Sequence, residues 1–292
     1  MRRVVGAIGR AFITVGVLIL LFVAYQLWGT GLYTAREQND LQRQFNATLA
    51  TAAQDTPATS EPAPPPPPEG DAVARLRIPK IGIDSIVVNG VTRDDLRKGP
   101  GHYPDTPLPG QEGNAAIAGH RTTYGAPFGD LDQLGEGDLI QVRTLQGSFK
   151  YRVSEQLIVN PRDIAVLLPT PVDPDALGEG FVATLTLTTC NPKYSAAQRL
   201  VIHADLDADQ TALPAPPIVE KAKLTEEGLS GEEGSKLPAI IAGLVVALIG
   251  ALWWLFFHRH PRWTTWFIGA IPFAVALFFF YSYLERVLPA NY

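Results

Sequence analysis

Three long apolar runs and a central stretch of short alternating segments divide the chain. The first run covers residues 11–28, carries no charge and follows Arg2, Arg3 and Arg10. Residues 237–257 and 263–284 form the second and third, separated by His258, Arg259, His260, Pro261 and Arg262. Each is near the ~20 residues a helix needs to cross a bilayer. A cleaved signal peptide would have a shorter apolar core ending in small residues. Here the run ends in Tyr25, Gln26, Leu27 and Trp28, which reads as an interfacial aromatic belt. The pattern predicts an uncleaved N-terminal membrane anchor helix (residues 1–33) and two C-terminal transmembrane helices (237–257 and 263–285). A buried hairpin in a soluble protein is the competing reading for the last pair, and their length argues against it. Positive charge favours the cytoplasmic side of short loops. The N-terminal arginines and the 258–262 turn both obey that rule only if residues from about 30 to 236 lie outside. The expectation is a multi-pass protein of the cell membrane with a cytoplasmic N-terminus and the lipid bilayer as a partner.

Beyond the first run, Leu41, Phe45 and Leu49 recur every four residues, which predicts that the helix continues outward as a stalk. The 34–72 segment then dissolves into a linker with five successive prolines, Pro64 to Pro68, a composition that makes semi-rigid spacers. A second linker, 207–236, mixes proline with Glu232 and Glu233 and has no apolar period. Between them lies one domain, 73–206, long enough to bury a core and fold alone. Its candidate strands are 74–78, 83–91, 114–118, 139–144, 150–159, 181–189 and 200–205. Turn signals at Pro109-Gly110, 135–137, Gln146-Gly147 and 178–180 separate them. Short strands with such punctuation predict an all-β barrel or sandwich, with a helical turn at 163–168 and a C-terminal tail at 286–292.

The 292 residues carry a formal net charge of -5 and no basic stripe, so nucleic acid is excluded as a partner. No Cys pair, H-E-x-x-H helix or glycine-rich phosphate loop is present, so neither a metal nor another cofactor is expected. The single cysteine, Cys190, rules out an intramolecular disulfide. It is either a small buried hydrophobe or a working thiol, and its surroundings favour the second. In the run from Phe181 to Cys190, strict alternation puts Phe181, Ala183, Leu185 and Leu187 on the core face. Thr184, Thr186, Thr188 and Cys190 share the other face, where a core-filling cysteine would not belong. In the next strand Leu200, Ile202 and Ala204 face the core, so Arg199 and His203 point the opposite way. If the two strands pair antiparallel, Arg199 begins where Cys190 ends. A guanidinium there favours the thiolate and can donate hydrogen bonds to an oxyanion.

A thiolate nucleophile commonly works with a histidine. His120 ends an apolar small-residue run and ranks first. His102, read as a solvated loop residue, and His203, two residues beyond the expected Cys190 end, remain open. With reference pKa values near 8.5 and 6.5, only about one Cys–His pair in a hundred is thiolate plus imidazolium at neutral pH.

The segment Thr186-Leu187-Thr188-Thr189-Cys190, followed by Arg199 at the next strand, resembles the T-L-x-T-C…R signature of sortases. Gly119-His120-Arg121 is similar to their histidine motif, and Phe128-Gly129-Asp130-Leu131 and Gly137-Asp138 extend the likeness across most of the domain. The stretches Gly99 to Pro104 and Cys190-Asn191-Pro192 look most like class E of actinobacteria, although two C-terminal spans depart from single-anchor sortases. The resemblance implies an eight-stranded β-barrel and a cysteine transpeptidase. Cys190 would be the nucleophile, His120 the general acid and base, and Arg199 the group that holds substrate and oxyanion. Tyr103 and Thr189 would contact the substrate. The implied partners are surface proteins bearing an LAXTG- or LPXTG-like sorting signal, cut between Thr and Gly, and an amine of peptidoglycan precursor. A secreted cysteine peptidase using water and a non-catalytic wall-binding domain are the competing readings. An L,D-transpeptidase would need an S-H-G-C-type motif, which is absent.

Overall fold

The structure, a computed structural model, describes residues 2–52, 67–169, 181–215, 236–257, 263–285 and 287. Most of the first linker, the 178–180 turn, most of the second linker, the basic 258–262 turn and all of the tail except residue 287 lie outside the described residues. The chain divides into two compact units, Met1–Gln26 with Glu233–Ala290 and Leu27–Glu232 with the last two residues.

The first unit is helical because its segments are apolar all round, which suits a helix surrounded by lipid. It holds α1 (Arg2–Ala24) together with the later helices Leu237–Phe257 and Trp263–Glu285. Among the described residues three helices are long and apolar enough to cross a membrane, one N-terminal and two C-terminal. The two C-terminal helices meet where small residues admit aromatic rings. A Cβ on Gly269 would collide with Trp253, and one on Gly243 would lie 3.1 Å from Phe280.

The second unit opens with α2 (Thr30–Ala52) and continues into a closed barrel. Its strands are β1 (Ala72–Ile78), β2 (Ile83–Asn89), β3 (Gly101–His102), β4 (Asn114–Ala118), β5 (Leu139–Arg143), β6 (Ser148–Val159), β7 (Thr184–Asn191) and β8 (Gln198–Leu206). Around the barrel they run β1-β2-β3-β4-β7-β8-β6-β5. The pairs β2–β3 and β4–β7 are parallel and the others antiparallel. Alternation explains the interior: Leu76, Ile117, Ile140, Leu185, Leu187 and Ile202 are fully buried in one core. Closing the sheet removes the edges on which strands aggregate. The all-β expectation is therefore met by a barrel, and seven of its strands coincide with β-like runs between turn signals in the sequence.

Two readings change. The Gly99–Pro104 stretch, read as a turn, contains β3, whose two residues pair with both β2 and β4 and close the sheet. A Cβ on Gly101 would lie 2.2 Å from the Gly90 carbonyl oxygen, so that approach requires glycine. The Leu41, Phe45 and Leu49 stripe does not project as a free stalk. It packs on Ile86 and Val88 of the barrel, with Leu41 and Phe45 buried. A short α3 (Arg93–Leu96), closed by a Thr92–Asp95 capping box, follows β2.

Candidate active site

The geometry begins with β7. Both of its faces are buried from Thr184 to Cys190. The non-core face is roofed by Val166 and Leu168 of the β6–β7 connection. Thr186 Oγ1 donates to Asn114 Oδ1 at 2.7 Å, and the Asn114 amide donates to the carbonyls of Val166 and Leu168 at 3.0 and 3.3 Å. The expected helical turn lies in that roof as a 3-10 segment, Ile164–Leu167. Cys190 thus sits on the non-core face as alternation required, yet it is only 2% exposed.

Register brings the partners to it. β7 and β8 pair antiparallel with Cys190 directly opposite Arg199. Arg199 is 2% exposed, and its Nη1 donates to the carbonyls of Ala196 and Gln198 at 3.2 and 3.1 Å. β4 and β7 run parallel with Ala118 opposite Thr188. The ladder continues one step further: Gly119 N–H donates to the Thr188 carbonyl at 3.1 Å, and Thr189 Oγ1 donates to the Gly119 carbonyl at 2.7 Å. Two residues beyond the Ala118–Thr188 pair, His120 and Cys190 arrive at the same rim. A Cβ on Gly119 would lie 2.6 Å from the Phe128 ring, so the approach to His120 needs glycine.

His120 is buried, its Nδ1 lies 3.3 Å from Thr123 Oγ1, and its ring centroid lies 4.9 Å from that of Tyr124. The other two histidines are elsewhere. His102, expected in solvent, is buried in β3 between Asn89, Pro107 and Thr106. Burial pushes its pKa down to about 4 against the opposing pull of the Pro107 carbonyl, so it is neutral at physiological pH. His203 pairs with Thr186, four residues from Cys190 along the strand, and burial lowers its pKa too.

Arg121 is a site residue whose partner sequence reasoning missed. It is 4% exposed. Its Nη1 donates to the Cys190 carbonyl at 3.0 Å and to Asn191 Oδ1 at 2.8 Å, while Nη2 lies 3.2 Å from Asp132. Adjacency to His120 was the one available signal, because its partners at the site, Cys190 and Asn191, lie about seventy residues away. Tyr103, expected to meet substrate, has its hydroxyl 3.2 Å from Thr188 Oγ1 on the Cys190 face, and burial raises its phenol pKa. Thr189 does not share that face. It alternates onto the core side with Leu185 and Leu187, is fully buried, and spends its hydroxyl on Gly119. It therefore locks β7 to the His120 strand and is not placed to touch a substrate.

The electrostatics of the thiol are a contest. Burial raises the Cys190 pKa, and the Arg199 and then the Arg121 guanidinium lower it; burial prevails. At rest the sulfur is therefore mostly protonated, held beside two buried cations that favour its thiolate once formed.

Residues 76–207 match the sortase domain family model. The chain is similar to Sortase SrtE1 of Streptomyces coelicolor, 34% identical over 67% of this chain and 55% of that protein. It is also similar to Sortase D of Bacillus subtilis, 32% identical over 43% of this chain and 58% of that one. The chain thus spans little more than half the length of these curated relatives. A solved structure of sortase E from Streptomyces avermitilis is 34% identical, covering 53% of this chain and 100% of that chain with a TM-score of 0.42. Residues 76–207 thus form a sortase domain, and members of the sortase family are cysteine transpeptidases.

Proposed function

We propose that this chain is a membrane-anchored transpeptidase with Cys190 as nucleophile, His120 as general acid and base, and Arg199 as the oxyanion and substrate contact. The observation that carries this reading is the strand register on either side of β7. Cys190 faces Arg199 in the β7–β8 register, and His120 lies two residues past the Ala118–Thr188 pair.

In the first half-reaction the Cys190 proton passes to the His120 imidazole. The sulfur attacks the Thr carbonyl carbon of a sorting signal, and Arg199 N–H groups stabilise the oxyanion that forms. The Thr–Gly C–N bond breaks as the imidazolium returns its proton to the departing glycine amine, leaving a thioester on Cys190. In the second half-reaction neutral His120 takes a proton from an incoming amine, which attacks the thioester carbonyl. The C–S bond breaks, and the sulfur recovers the proton from His120. A peptidoglycan-precursor amine is the acceptor in this reading, and the donors are surface proteins carrying an LAXTG- or LPXTG-like signal.

Within the family the reading favours class E and a preference for LAXTG. Tyr103 supports it, since its hydroxyl stands beside Thr188 on the face that presents Cys190. Thr189 acts as a positioning residue and not as a substrate contact. For the membrane, we place the N-terminus in the cytoplasm and the barrel outside, because Arg2, Arg3 and Arg10 and the Arg259/Arg262 turn then share one side.

The test is mass spectrometry of the protein after incubation with LAXTG and LPXTG peptides. A thioester on Cys190, with the LAXTG form accumulating faster, is the expected result. No adduct with either peptide would overturn the assignment of the nucleophile. Product formed equally fast with and without added amine would favour a hydrolase using water.

A further inference from the structure

The His120 loop and the first turns of α2 share a set of contacts that barrel closure does not require. Thr30 is 1% exposed, and its Oγ1 accepts the Tyr124 N–H at 3.0 Å. Tyr124 stacks its ring on the His120 imidazole in a tilted arrangement. The Arg97 guanidinium lies over both the Tyr33 ring of α2 and the Tyr124 ring, 5.1 and 5.5 Å from their centroids. Arg97 is tied to the same helix through its carbonyl, which accepts the Thr34 hydroxyl at 2.8 Å. One turn further on, the Gln38 amide donates to the Ile86 and Lys98 carbonyls, and its oxygen accepts the Ile86 N–H.

The loop that α2 holds is one that would otherwise relax. Tyr124, Gly125 and Ala126 have φ of 53°, 75° and 46°, three consecutive residues in the left-handed region, and two of them bear side chains. Such conformations persist only where surrounding contacts over-determine them. Here contacts come from α2: Thr30 takes the Tyr124 amide, and Gly31 lies beside Gly125, where a Cβ on it would meet the Gly125 nitrogen at an ordinary van der Waals distance of 3.7 Å.

We propose that α2 is a positioning element of the active site, in which Thr30 and the Tyr33–Arg97–Tyr124 stack hold the strained loop so that Tyr124 fixes the His120 ring. The proposal rests on the catalytic reading of His120 given above. In chain order Thr30 comes two residues after Trp28, the end of the first apolar run. Neither Thr30 nor Tyr124 touches the reacting atoms; each acts through the imidazole.

The experiment uses the full chain in detergent micelles, with Thr30→Val removing the hydroxyl acceptor at nearly constant volume and Thr30→Ser restoring it. Two signals are read: the kcat and KM of amine-dependent peptide transfer, and the NMR signal of the His120 ring, assigned by its loss in His120→Asn. Thr30→Val is expected to lower kcat about tenfold with KM unchanged, since misplacement of a catalytic group costs rate before affinity. It should also move the His120 ring resonance, while Thr30→Ser returns both to the wild-type values. An unmoved ring resonance with unchanged kcat overturns the proposal. So does a fall in kcat that Thr30→Ser fails to rescue and that tracks a lowered melting temperature. Should the wild-type protein form no thioester, the catalytic reading fails by itself, and the ring resonance alone still decides whether Thr30 positions His120.

Discussion

Burial and two guanidinium groups pull the Cys190 thiol in opposite directions, and the outcome sets how the residue reports on its surroundings. Burial raises its pKa, and Arg199 is the larger of the two charges that lower it. Removing that charge must push the thiol further up, because the remaining large influence is loss of solvent. Arg199→Gln keeps bulk and a hydrogen-bond donor while deleting the charge. It is expected to shift the pH midpoint of Cys190 alkylation by iodoacetamide upward and to slow alkylation at pH 8. An unchanged or lowered midpoint would mean that Arg199 does not act on the sulfur. Much of this site was legible locally. Period-two alternation put Cys190 and Arg199 on one face, and an eight-residue connection suggested that they meet. His120 could be ranked but not decided, because its approach depends on a parallel pairing between β4 and β7 that no local pattern announces. Thr189 was misread from motif proximity, although alternation alone already put it on the face of Leu185 and Leu187.

At the scale of elements, the same limit explains α2 and β3. The stripe of Leu41, Phe45 and Leu49 marks an amphipathic helix, but the surface it covers, Ile86 and Val88, lies some forty residues on and bears no sign of its partner. β3 is two residues long, too short for alternation to register, and is held by its neighbours on either side. The docking of α2 is measurable by itself. Phe45 is 2% exposed, and truncating such a residue to alanine costs about 3 kcal/mol. In Phe45→Ala that loss should fall on the helix–barrel contact and leave the closed sheet intact, a local opening well below global unfolding. The Ile86 amide is a direct reporter, since it donates to Gln38 Oε1 at 2.8 Å. Its hydrogen exchange is expected to quicken about a hundredfold, the equivalent of that free energy, while the amides of Leu185 and Leu187 in β7 exchange as before. Equal acceleration in β7 would show that α2 is an integral part of the barrel's cooperative unit; no acceleration at Ile86 would show that the stripe contributes nothing.

For the whole molecule, hydropathy and charge carry different kinds of information. Length and apolarity predict three helices that can span a bilayer, and three such helices are present among the described residues. Neither property says which end faces which side. Orientation comes from a handful of cations: Arg2, Arg3 and Arg10 before the first run and Arg259 and Arg262 between the last two. An odd number of spans between these two groups would put them on opposite sides, and an even number puts them together. In the proposed topology the first and second runs both cross the membrane, which would put both groups in one compartment, the cytoplasm that short basic segments favour, and the barrel on the opposite side. Protease added to intact cells is therefore expected to remove the 73–206 domain, with cutting in the proline-rich 53–66 or the 216–235 segment and the basic turn protected until the membrane is breached. Complete protection of the barrel in intact cells, with digestion after permeabilisation, would invert the orientation.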